Sequence, residues 1–405
     1  MTTNILKSFI DAHTYDIRVS GNGRWIDQKC TMDELCFVAD CIVEYLNNGG
    51  KQPFQSPDIW RTEYACINVQ HLFCKPSPTI ESTKDEYNKF FREPMKMLAA
   101  AGILEEVGKV KNTIQFKVVN KAILDYLSLR ERNCMEFLCM YIEKTMRDSG
   151  LWDYFESFFD EQSKERFNDM KEAFIHFCNK YTPMNTRTEP CRIFTKVLNP
   201  LAVTRHKKGT IKGRISNNII TIDEIKYNRT NFRDKDKDKN ISRGDAATSS
   251  TNYEVEVYNY KVEKAKRRLR AFNDAYNMSK SEITDIYSIG NNATHMHHIF
   301  SKSQFPCIAH YVENLIALTS AQHLQEAHPG GNTQVVDKAF QYLCLINKTE
   351  SIRKNILEDI GERFYSFSSF MTVLNKGLHT ESFSSIQEND FQSVLSYIEI
   401  NYPTH

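Results

Sequence analysis

Six of the chain's twelve histidines fall between His295 and His328, namely His295, His297, His298, His310, His323 and His328. Even scatter would place about one there. Imidazole is a common metal ligand and the side chain whose proton affinity lies nearest neutral pH. Crowding of this kind points to a divalent-metal site, to general-base catalysis, or to both. For any single member, a core histidine with satisfied ring nitrogens is the alternative. The chain contains no Cys-x-x-Cys, which argues against a zinc ribbon and against a thiolate-held structural zinc.

These residues need elements to position them. The run His297-His298-Ile299-Phe300 reads as the end of a strand, and Tyr311 to Leu318 as a second strand. Thr319 or Ser320 can cap a helix that starts at once and carries His323 in its first turns. Pro329-Gly330-Gly331 then ends that helix. On a continuous α-helix His328 lies about 140° around from His323, so it joins a metal only if the helix ends first. His295 shares a strand face with His297 and either touches phosphate or packs. His310 reads as a loop residue. Lys302 is placed to contact a nucleic-acid backbone, with a solvated loop lysine as the alternative.

In order, the pair His297-His298, the run Glu313-Asn314-Leu315-Ile316-Ala317-Leu318 and His323, nine residues after Asn314, resemble the HNH, or ββα-metal, nuclease family. The resemblance covers residues 293–333. It implies that His298 is the general base, that His297 ligates the metal where the family often has Asp, and that His323 is the second ligand. It also implies that Asn314 hydrogen-bonds near the base and fixes its orientation. His328 is a further candidate ligand. Mg²⁺ is the natural ion in the cell, and imidazole suits Mn²⁺ or another transition metal at least as well. Ser301 stands where the family often has proline. The zinc-binding cysteine pairs that staple some members are missing, so neighbouring segments must hold the motif.

A small nuclease motif within a large DNA-reading body resembles Type II restriction endonucleases of the HNH class. That implies sequence-specific cutting of double-stranded DNA, a homodimer on DNA because each site cuts one strand, and a cognate DNA methyltransferase encoded nearby. The alternatives are a homing-type or nonspecific HNH nuclease and, from another class, a non-catalytic winged-helix DNA-binding protein with a structural metal.

The rest of the chain supplies context. Net charge is +1 over 405 residues, but Arg205 to Arg243 carries twelve Lys or Arg against five Asp or Glu. That basic stretch can neutralise phosphates, with Arg205, Lys207, Lys208, Lys212, Arg214, Arg229 and Arg233 as candidate DNA-binding residues beside Lys302. A helix over 83–101, opened by a Thr83–Glu86 capping box, precedes a strand at 103–107, a turn at 108–112 and a strand at 113–118. This helix-then-hairpin pattern resembles winged-helix DNA-binding domains. Residues 134–180 read as helical, with Phe137, Leu138, Tyr141, Ile142, Trp152, Phe155, Phe158, Phe159, Phe174 and Phe177 in the core. The isoleucines between 190 and 232 favour strands.

The expected fold is α+β. A winged-helix-like domain spans 1–130, a helical connector 131–190, a basic DNA-recognition segment 191–285, the nuclease module 286–345 and a helical segment 346–405. Eleven scattered cysteines read as reduced and buried. With no signal-peptide pattern and no long apolar run, a cytoplasmic protein without membrane contact is expected.

Overall fold

The computed structural model describes residues 2–227, 253–328, 336–358, 360 and 363–402. It is a mixed α+β structure, mostly helical, with small antiparallel sheets. The chain divides into two compact units, Met1–Tyr253 and Glu254–His405. The division falls inside 191–285, so the five segments read from the sequence regroup into two bodies.

The first unit contains α1 (Thr2–Asp11), α2 (Met32–Asn47), α3 (Glu63–Phe73), α4 (Lys84–Ala100), α5 (Lys121–Leu129), α6 (Glu131–Asp148), α7 (Trp152–Asp160), α8 (Lys164–Tyr181) and α9 (Thr188–Thr204). A sheet of order β1-β3-β2 is formed by β1 (Phe54–Gln55), β2 (Leu104–Val110) and β3 (Thr113–Val118). Strand β2 runs three residues further than the sequence suggested and bulges between Glu106 and Gly108. The turn is therefore only Lys111-Asn112, both with positive φ (47° and 65°), as a two-residue hairpin requires.

On α4, Phe90, Phe91, Met95 and Leu98 are fully buried, as the helical spacing predicts. The capping box does not form. Thr83 spends its hydroxyl on the carbonyls of Ser77 and Ile80, and Glu86 turns to Lys29 and Lys75. All ten core residues named between 137 and 177 are buried. Two isoleucine-rich stretches depart from the strand reading. Ile193 and Val197 lie in α9, on its buried face, and Ile222 and Ile225 in a short helix, Ile222–Ile225. Between them, β4 (Lys208–Ile211) and β5 (Arg214–Ile219) make a hairpin.

The second unit opens with α10 (Tyr253–Tyr276) and continues through β6 (His295–His298) and β7 (Leu315–Leu318), which pair antiparallel with His297 opposite Ile316 and His298 opposite Leu315. A short π-helix (Gln322–Ala327) follows, then α11 (Lys338–Leu357), α12 (Phe367–Gly377) and α13 (Phe391–Asn401). All four residues of β7 are buried. Its Ala317 N–H donates to Glu282 Oε1 at 2.9 Å, and Glu282 is gripped by the buried Lys348 ammonium, 3.0 Å from each carboxylate oxygen. The Phe300 ring lies so close to Gly377 that an added Cβ would sit 2.3 Å from it. Helix α12 thus covers the end of the β6 loop only because that position lacks a side chain.

All eleven cysteines are free thiols; six are buried, and Cys307 is exposed, against the expectation that they are all interior. Among the described residues no helix is long and apolar enough to cross a membrane.

Candidate metal centre

Strand β6 alternates its side chains, so His295 and His297 share one face and His298 takes the other. Strand β7 leads straight into the segment that brings the remaining imidazoles. Its junction is fixed by a reciprocal cap. Thr319 Oγ1 accepts from the Gln322 N–H at 3.2 Å, and Gln322 Oε1 accepts from the Thr319 N–H at 3.0 Å. This is a capping box written Thr-Ser-Ala-Gln. The Gln322 amide also donates to Ile283 O and Asp285 Oδ2. A fully buried glutamine with every contact met therefore sets where His323 begins.

The turn after that cap is a π-turn, and this answers the question of His328. With i→i+5 hydrogen bonds, the residue five along takes the place that the fourth takes in an α-helix. His323 and His328 consequently lie on one face, although α-helical geometry separates them. One ligating nitrogen from each of His297, His323 and His328 lies within 4.8 Å of the others. Ring centroids are 5.3 Å apart for His297–His323, 5.0 Å for His297–His328 and 4.8 Å for His323–His328. His295 stacks on His323 at 4.6 Å and bonds Thr294 Oγ1 through Nδ1 at 3.0 Å, so it backs the cluster.

The electrostatics suit a cation. Burial holds the His297 imidazolium pKa down at about 3, helped by repulsion from His323, His328, His298 and His295. Burial, with His295, His328 and Lys266, holds His323 at about 4. Both rings are neutral at pH 7, the form that ligates metal. Among the described residues His323 Nδ1 is buried with no hydrogen-bond partner, a cost of about 1–3 kcal/mol if nothing meets it. Three clustered imidazoles, two of them held neutral, and a buried ring nitrogen without a partner fit a divalent ion, since small ring rotations bring such atoms onto bonds of about 2.0–2.1 Å.

His298 faces away from the cluster. Its Nε2 lies 3.0 Å from Ala309 O. A carbonyl only accepts, so Nε2 carries the hydrogen and Nδ1 keeps the lone pair. Burial, then Lys266, and more weakly Lys302, hold its pKa at about 4, against the Ala309 hydrogen bond, which works upward.

Asn314 makes its hydrogen bonds to the backbone beside His298 and none to the ring itself. Its Oδ1 accepts from Phe300 N at 2.9 Å, and its Nδ2 donates to Phe300 O at 3.0 Å and Ile308 O at 3.3 Å. It fastens both ends of the loop that ends in Ala309, and so positions His298 through that carbonyl.

The basic candidates divide. Arg205 is engaged within the first unit: its guanidinium meets Glu143 at 2.5 Å and lies over Trp152 and Phe159. Lys207 and Lys208 are half-buried, and Lys212 and Arg214 are exposed at the β4–β5 turn. Arg229 and Arg233 lie outside the described residues. Lys302 is exposed in the second unit, and its carbonyl accepts from Tyr258 of α10 at 3.4 Å. The sequence named Thr319 as a possible cap and the basic run at 264–270 as phosphate-neutralising charge, but not Gln322 as the other half of a capping box, which is legible from its spacing. No family model, curated protein or solved structure matches this chain.

Proposed function

We propose that the protein is a divalent-metal-dependent endodeoxyribonuclease of HNH type, working as a sequence-specific, restriction-type enzyme on double-stranded DNA. One observation carries the reading. Three imidazoles gather on one side of β6 and β7, and the next residue along β6, His298, presents a neutral ring whose tautomer leaves Nδ1 basic.

His298 accepts a proton from the attacking water at Nδ1 as the water oxygen bonds to phosphorus. The bond from phosphorus to the 3′ oxygen breaks with its electron pair on that oxygen, which takes a proton from solvent. His298 then returns its proton to solvent, leaving a 5′ phosphate and a 3′ hydroxyl. The bound ion would supply Lewis acidity toward the phosphate and the leaving oxygen. Asn314 keeps Ala309 O on Nε2–H, and so holds the productive tautomer. With three nitrogens and no carboxylate in the set, Mn²⁺, Co²⁺, Ni²⁺ or Zn²⁺ suits the site better than Mg²⁺.

A plasmid digest across these ions tests the reading. Discrete fragments are expected, and His298→Ala should abolish them while leaving metal binding intact. Full activity in His298→Ala, or no cutting with any of the five ions, would sink it.

A further inference from the structure

We propose that Lys266 of α10 binds a non-bridging oxygen of the scissile phosphate, which makes the basic helix part of the catalytic centre. This rests on the nuclease reading above and adds a residue outside the ββ-and-helix motif.

Helix α10 is tied to the β6 region at two points. The Tyr258 hydroxyl donates to Lys302 O, just beyond the C-terminal end of β6. The Arg270 guanidinium donates to Thr294 O at 2.8 Å, just before its N-terminal end. The helix therefore runs alongside β6 in the opposite direction. Lys266 lies between the ties: at 1.5 Å and 100° per residue it is about 12 Å along and 80° around from Tyr258, and about 6 Å and 40° from Arg270. It falls inside the arc that the two ties define. Val262 and Leu269 lie inside that arc on its Tyr258 side, with Ala265 just outside it, and all three are buried, so the helix has little freedom to roll.

Two further observations place its charge. Lys266 bears electrostatically on both His298 and His323, the base on one side of β6 and a ligand on the other. Its present partner is Glu263 at 3.2 Å, one turn back, with side-chain exposures of 29% and 68%. Because Glu263 is exposed, a pair of this kind is held by about 0–1 kcal/mol, so a phosphate can displace the carboxylate. A cation overlooking both base and ligand, with an exchangeable partner, meets the charge that grows on the phosphate oxygens in the transition state.

The test uses the full chain with Mn²⁺ and a plasmid substrate. Lys266→Gln and Lys266→Met should lower kcat about 100-fold, with metal affinity and melting temperature unchanged, and Lys266→Arg should restore most of the rate. The second neutral variant guards against misfolding of the first. If wild type cuts and both neutral variants cut within twofold of it, the proposal is overturned and the nuclease reading stands. A loss confined to KM also overturns it, because Lys266 would then hold backbone away from the reacting phosphate. A wild-type chain that cuts nothing overturns both readings.

Discussion

The Glu86 cluster of the first unit and the histidine cluster of the second are built on opposite principles. In the first, Glu86 accepts from Lys29 at 2.6 Å and Lys75 at 3.3 Å, and Tyr227 OH bonds the same carboxylate and both ammonium groups. Burial pushes the Glu86 carboxyl up, but the two ammonium groups win and hold it at about 2. Charge is answered inside the protein. In the second, His297, His323 and His328 are chemically alike, repel one another when protonated and leave a buried nitrogen unmet. The first cluster is complete as folded. The second leaves a place that a divalent cation could fill.

The sharpest way to break this contrast is to cut one member from each. Glu86→Ala strands two ammonium groups in a buried site and should cost about 3–5 kcal/mol of unfolding free energy, with or without metal. His323→Ala should leave metal-free stability near wild type. It should weaken metal binding by at least the roughly 10–100-fold typical of supporting residues, and remove cleavage. Calorimetric titration and thermal melts check both. A metal-free His323→Ala that melts as far down as Glu86→Ala would mean the histidines are architecture.

Linkage gives the next effect. An ion at one hundred times its Kd should stabilise the second unit by about 2.7 kcal/mol, and chelation should reverse it. The first cluster should respond to acid instead. The Glu86 pKa falls from 4.5 unfolded to about 2 folded, so its contribution is full above pH 4.5 and lost as pH drops through 2. Melts from pH 6 to pH 2 of wild type and Glu86→Gln should converge across that window. Curves that stay parallel would remove Glu86 as the source.

Asn314→Ala should come next, at about 1–3 kcal/mol for the buried carbonyls and N–H it abandons. Its rate loss should be smaller than that of His298→Ala, because it acts through Ala309. The pair also marks how far the sequence could be read. His297, His298 and His323 stood out because order and spacing survive translation into one dimension. The cores of α4 and of α6 to α8 were legible because helical period is a local property. Which atoms Asn314 bonds was not legible, because its partners, Phe300 and Ile308, are set by loop closure. His328 was left open because an α-helical angle was assumed where a π-turn forms. The Thr83 cap failed because Glu86 had a tertiary use, and Ile193 and Val197 went to a helix because burial on α9 outweighs β propensity.

The smallest effect bears on whether the exposed basic residues of the first unit contact nucleic acid. Composition alone ranks the basic residues of 205–214 equally, but their surroundings do not. Arg205 is already paired with Glu143 and stacked on Trp152 and Phe159, whereas Lys212 and Arg214 project from a turn in which Lys212 and Gly213 both take positive φ. A phosphate-contacting residue contributes about one unit to the salt slope of DNA binding. Lys212→Ala and Arg214→Ala should each lower that slope by about one, while Arg205→Ala leaves it unchanged. Binding titrations over a salt series measure it directly. A slope that falls for Arg205→Ala and not for the turn would place the DNA on a different face of the first unit from the one the exposed cations mark.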